Sequence, residues 1–158
     1  MRVAVITVSD SVSQGKGADC SGPAVADRCK ALGWDVVSTH VLPDDRAAIE
    51  KLLSAQADSG AVHLLVTTGG TGIGPRDTTP EATTAVCARL IPGFAELMRA
   101  TGLQATRRAV LSRAVAGIRA QAIIVNLPGS PKGAVESLDA IADLLPHACD
   151  VIRGHHHG

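Results

Sequence analysis

Aromatic side chains are almost missing from this chain: Trp34 and Phe94 are the whole set, and tyrosine is absent. Lys and Arg number 15 and Asp and Glu 15, for a formal net charge of zero. The chain therefore has neither a basic footprint for a phosphate backbone nor a set of stacking platforms for successive bases, which argues against a nucleic-acid partner. Cysteine is sparse as well. The four residues, at 20, 29, 87 and 149, form no CxxC pair and no Cys/His cluster with zinc spacing. They read as reduced thiols of a cytosolic chain, mostly small buried hydrophobes. No apolar run reaches the roughly 18 residues of a membrane span, and the first strand begins almost at Met1, leaving no room for a signal peptide. The expectation is a soluble, cytoplasmic protein with no membrane contact. The closing run His155-His156-His157-Gly158 lies outside the fold argument: a domain over residues 1–153 is expected to end in a disordered tail, 154–158.

What the chain does have is glycine at 69, 70, 72 and 74, inside the stretch Thr67–Thr83, TTGGTGIGPRDTTPEAT. An apolar run, Val62–Val66, leads into it and a helical pattern leads out. Glycines there allow backbone N–H groups to approach an anion with no Cβ in the way. No Gly-Lys-Ser/Thr follows, so the loop is not a Walker A loop; Pro75 stands where the dinucleotide fingerprint needs glycine. Pro80 suits a first helical turn with Thr79 as N-cap and Glu81 at the positive end of the helix. Asp77 is either a turn residue or a carboxylate placed where open α/β sheets bind ligands, able to hold magnesium.

The rest of the pattern supplies the frame. Arg2–Ser9 reads as a strand covered on both faces, followed by a long loop, residues 11–23, able to fold over a ligand. Ser21 is placed to cap a helix from Pro23 to Leu32 that Gly33 ends, and Asp35–Leu42 is a second strand. Asp44 or Asp45 then caps a helix running to Gly60, before a third strand over Val62–Thr67. Asp44 and Asp77 both follow strands; if those are parallel, the two carboxylates share one edge and can share one cation. Helices over Glu81–Arg89 and Gly93–Ala100 are divided by Pro92. Strands over Ala114–Ile118 and Ala122–Leu127 follow, and Ala134–Arg153 is amphipathic helix interrupted at Pro146. Gly129, Ser130 and Lys132 form a second strand-to-helix junction, an anion site or an ordinary capped turn, with Lys132 offering a point charge. With no repeat or linker, 158 residues make one α/β domain, burying roughly 70% of the unfolded chain's surface.

Taken together, Val8-Ser9-Asp10, Asp19 with Ser21-Gly22-Pro23, Pro43-Asp44, Thr68-Gly69-Gly70-Thr71-Gly72, Pro75-Arg76-Asp77 with Thr79-Pro80-Glu81-Ala82-Thr83, Pro92-Gly93-Phe94, Leu111-Ser112-Arg113 and Asn126-Leu127-Pro128-Gly129 resemble, in that order, the molybdopterin adenylyltransferases of MogA/MoaB type, including the gephyrin G domain. The likeness spans about residues 3–152. It implies a doubly wound, mostly parallel sheet with helices on both faces, usually in a homotrimer. It also implies transfer of AMP from Mg-ATP to the terminal phosphate of molybdopterin with release of pyrophosphate, molybdate being inserted later by another protein. Carried over, the essential acidic, Mg²⁺-holding positions fall on Asp44 and Asp77. The nucleotide loop falls on Gly69, Gly70, Thr71 and Gly72. Substrate contacts fall on Ser9, Asp10, Asp19, Ser112, Asn126, Gly129, Ser130 and Lys132. Two positions depart from the pattern: Cys20, where a basic residue is common, and Gly102, where serine is.

Overall fold

β-Branched and apolar runs become the strands of one six-stranded sheet in the computed structural model, which describes residues 1–155. In chain order the elements are β1 (Arg2–Val8), α1 (Asp10–Ser13), α2 (Ser21–Ala31), β2 (Asp35–Leu42), α3 (Arg46–Asp58), β3 (Leu64–Thr68) and α4 (Thr79–Val86). Next come β4 (Arg89–Leu90), α5 (Pro92–Leu103), a 3₁₀ turn over Arg107–Leu111, β5 (Ala116–Arg119), β6 (Ala122–Leu127), α6 (Pro131–Ile141) and α7 (Leu145–Ile152). The sheet order is β2-β1-β3-β6-β5-β4. β2, β1, β3 and β6 run parallel, and β5 and β4 add an antiparallel margin. β3 and β6 are buried along their whole length, as continuous apolar runs require when helices cover both faces. On one face Val25, Met98, Leu138 and Leu145 of α2, α5, α6 and α7 pack on Val3, Val5 and Leu64. On the other, Ile49 and Leu53 of α3 and Ala82 of α4 pack on Ala4, Ile6 and Leu65.

The register puts the carboxyl ends of the parallel strands level. Thr7 of β1 pairs with Val41 of β2 and Thr68 of β3, and Thr68 pairs with Leu127 of β6. The loops after those four strands therefore open on a common edge, and the chain turns in opposite directions from β1 to reach β2 and β3, which makes a crevice there.

Local details differ from the sequence reading for identifiable reasons. The loop after β1 holds a helical turn, α1, because the Ser9 hydroxyl accepts the Val12 N–H at 3.3 Å. Ser21 lies inside α2; the Asp19 carboxylate takes the Gly22 N–H instead, at 3.0 Å. Thr79 likewise begins α4 without capping it, and its hydroxyl donates to the Gly69 carbonyl at 3.1 Å. α4 stops at Val86, so that Arg89 and Leu90 can join the sheet as β4. At the C-terminus the backbone N–H groups of Gly154 and His155 bond back to Val151 and Asp150 of α7 at 3.0 and 2.9 Å. Of the tail expected over 154–158, residues 156–158 lie outside the described residues.

Candidate active site at the carboxyl edge of the sheet

Asp44 follows β2 and points back across the edge toward β1. Its Oδ2 accepts the Asp10 N–H at 3.1 Å while the Asp10 Oδ1 accepts the Asp44 N–H at 2.9 Å, so each loop braces the other. The helix-capping role, left open between two aspartates, falls to Asp45, whose Oδ1 accepts the Ala47 N–H at 3.0 Å. Asp44 is thereby free for other work. Its carboxyl is raised above the ordinary carboxylate range, first by burial and further by the like charges of Asp10 and Asp77. Asp10 goes the other way: the Arg76 guanidinium, at 3.0 and 3.1 Å, and the Asp44 N–H hold its carboxyl below the ordinary value.

Asp77 sits at the far end of the glycine loop, its Oδ2 accepting the Gly74 N–H at 2.9 Å. A Cβ on Gly72 would lie 2.9 Å from that oxygen, and one on Gly70 would lie 3.0 Å from Asp44 Oδ1. The loop thus threads between the two carboxylates, and only glycine leaves room. Gly69 and Gly70 also take φ of 103° and 70°, a region L side chains rarely adopt. Among the described residues no three Asp, Glu, His or Cys side chains gather into one metal-holding group. Asp44 and Asp77 each keep an oxygen outside the bonds above, the kind of donor a hard cation such as magnesium would use.

Two cavities open on this edge. The smaller, of about 360 Å³, is bounded by Ser9, Asp19, Cys20, Ser21, Asp44, Gly69, Gly70, Asp77 and Gly129. The larger, of about 440 Å³, has Gly70, Thr71, Gly72, Asp77, Ser112, Asn126, Gly129 and Ser130 on its polar side. Ala95, Met98 and Leu111 line its apolar side, with Arg99 and Arg108 beside them. Gly70, Asp77 and Gly129 belong to both. The first turn of α2 borders the smaller cavity and that of α6 the larger, so a positive helix end faces each.

Of the expected contact residues, Asp10 and Lys132 line neither cavity. Asp10 is the brace just described, and Lys132 is directed along α6 toward Glu136, 3.8 Å away, with its side chain 85% exposed. Asn126 is fully buried as a tie across the sheet: its amide donates to Thr67 Oγ1 and Thr83 Oγ1 at 3.0 and 2.9 Å, and its Oδ1 accepts the Val115 N–H. Ser130 caps α6 through the Gly133 N–H at 3.1 Å. Asp19 accepts from Thr7 Oγ1 at 2.9 Å as well as from Gly22. Gly102 is explained by space, since a Cβ there would come within 2.9 Å of the Ala109 Cβ. Sequence reasoning assigned nothing to Arg113, which binds the glycine loop from behind through Thr71, Gly72, Asp77 and Glu81. Its only signal was a place in the Leu111-Ser112-Arg113 motif.

Comparison with known proteins gives this edge a context. The family model described as a probable molybdopterin binding domain matches residues 4–147. The chain is 41% identical over 158 residues to the molybdopterin adenylyltransferase of Helicobacter pylori J99, covering 99% of this chain and 90% of that protein. It is 42% identical over 145 residues to the Escherichia coli K12 protein of the same name, covering 90% and 74%. The crystal structure of the molybdopterin biosynthesis enzyme MoaB from Thermus thermophilus superposes with a TM-score of 0.91 at 45% identity, over 97% of this chain and 96% of that one. By sequence and by fold, the chain belongs to the molybdopterin-binding family in which the molybdopterin adenylyltransferases stand.

Proposed function

We propose that this chain is a molybdopterin adenylyltransferase that joins AMP from Mg-ATP to the terminal phosphate of molybdopterin and releases pyrophosphate. The observation that carries the reading is the shared wall: two cavities meet at Gly70, Asp77 and Gly129, so two substrates bound side by side would bring their phosphates together beside Asp77. An oxygen of the molybdopterin phosphate attacks the α-phosphorus of ATP, the bond from that phosphorus to the bridging oxygen breaks, and pyrophosphate carries the electron pair away. Both reactants are anions. The site therefore has to neutralise and align charge more than it has to supply a base.

The chain's residues divide that work. N–H groups of Gly70–Gly72 and the helix ends at Ser21 and Ser130 would face phosphate oxygens, the Gly69 N–H being held by the Leu127 carbonyl, while the Asp10–Asp44 brace keeps the second carboxylate at the junction. Asp44 and Asp77 would hold Mg²⁺, which when bound offsets the negative charge of the phosphates. The resemblance adds a cytoplasmic homotrimer that passes its product to the molybdate-insertion protein. Ile73, Val110 and Leu111, exposed by 68%, 63% and 47%, are apolar surface that such an assembly can bury.

The test measures pyrophosphate release and adenylylated product from Mg-ATP and molybdopterin, for the wild type and for Asp44→Asn and Asp77→Asn. Asparagine keeps an acceptor for the Asp10 and Gly74 N–H groups but loses the charge. Turnover is expected to fall by about 100-fold or more in either variant, the scale of a lost electrostatic stabiliser, with the fold retained. A wild type that binds molybdopterin but forms no product would make the chain a binding module. Full turnover in both variants would remove the carboxylates from the mechanism.

A further inference from the structure

We infer that Arg113 is a positioning residue that aims the N–H groups of the glycine loop at bound phosphate. Its backbone N–H donates to the Thr71 carbonyl at 2.9 Å, its Nε to the Gly72 carbonyl at 2.7 Å and its Nη2 to the Asp77 carbonyl at 2.8 Å. Nη1 is fixed on both oxygens of Glu81, at 2.9 and 2.8 Å, so the fork cannot turn. One residue thus gathers three outward-facing carbonyls of the loop onto one side.

A trans peptide carries its C=O and N–H in opposite directions. Fixing the Thr71 and Gly72 carbonyls behind the loop turns the N–H groups of Gly72 and Ile73 the other way, and no cis peptide interrupts the geometry. Among the described residues no acceptor meets either N–H. Arg113 itself stays out of both cavities. It borders a separate surface groove with Arg46, Glu81 and Val115, whereas Gly72 borders the larger cavity. The guanidinium acts on the reaction without touching substrate, through the loop and through the backbone of Asp77. Lysine at this position would keep a cation beside Glu81 and the backbone bond to Thr71, but has no fork to hold the Gly72 and Asp77 carbonyls.

The catalytic consequence rests on the adenylyltransferase reading, and the binding consequence does not. Inorganic pyrophosphate with Mg²⁺ is the probe. In the wild type, titration is expected to move the amide resonances of Gly72 and Ile73. In Arg113→Lys, pyrophosphate affinity should fall by about tenfold and kcat for adenylylation by about 100-fold, the scale of a misplaced reacting group, at an unchanged far-UV spectrum. A merely structural arginine would lower activity only with loss of folded protein. Arg113→Lys that is folded and binds and turns over as the wild type does would overturn the proposal. So would wild-type amides of Gly72 and Ile73 that stay still at saturating pyrophosphate, a result that needs no variant to fold. If those amides respond but the wild type makes no product, the functional reading fails and the positioning role of Arg113 stands.

Discussion

Asp44 shows at the scale of one residue how a site is kept at the expense of the fold. Burial raises its carboxyl above the ordinary 3.8, and Asp10 and Asp77 push the same way. A raised native value means the folded chain holds this proton more tightly than the unfolded chain does. Stability contributed by Asp44 is therefore present at low pH and is lost as pH rises from 3.8 through the raised value; above that, the ionised carboxylate stays a liability. Asp44→Asn removes the charge and keeps the acceptor for the Asp10 N–H. In EDTA at about pH 7 the variant is expected to melt no lower than the wild type, because repulsion is relieved while the brace is kept, and its turnover collapses. A clearly lower melting temperature would mean that Asp44 is held for stability. Glu81 has the opposite sign: hydrogen bonds from Arg113 depress its carboxyl, so its contribution is full above the ordinary 4.5 and fades as pH falls through the depressed value.

At the scale of elements, α3 tests the division of labour between neighbouring aspartates. Asp45 caps the helix and lies outside both cavities, while Asp44 lines the smaller one. Asp45→Ala should lose about 1 kcal/mol, the usual value of an N-cap, in denaturant unfolding, with kcat unchanged; a loss of turnover matching that of Asp44→Asn would blur the assignment. This division was not legible in the sequence, where either aspartate satisfies the helix-start pattern. β2 and β6 were legible to the residue because β-branched and apolar runs are closed off by the bounding Gly33 and Pro128. β4 and the 3₁₀ turn were not, since two strand residues and five turn residues leave no periodicity to detect. The acid pair and glycine loop could be read because their chemistry is local. The Arg113 contacts could not, because they join residues up to 42 positions apart through backbone carbonyls that any sequence has.

At the scale of the molecule, the two apolar layers on either side of the sheet determine which cysteines are chemically available. Cys29 and Cys149 are buried in the layer that includes α2 and α7, and Cys87 is half-buried against the other. Burial pushes all three thiols up to about 11, leaving almost no thiolate at neutral pH. Cys20 is exposed, at the start of α2, and lines the smaller cavity. Iodoacetamide at about pH 7.5 is expected to modify one thiol per native chain, at Cys20, and all four after denaturation, counted by intact mass. Because the same cavity is proposed to receive phosphates, Mg-ATP should slow the native modification. Protection joins the packing of the whole fold to its site: equal labelling with and without Mg-ATP, at concentrations that saturate turnover, would move the nucleotide away from the α2 end of the edge and leave the larger cavity to hold it.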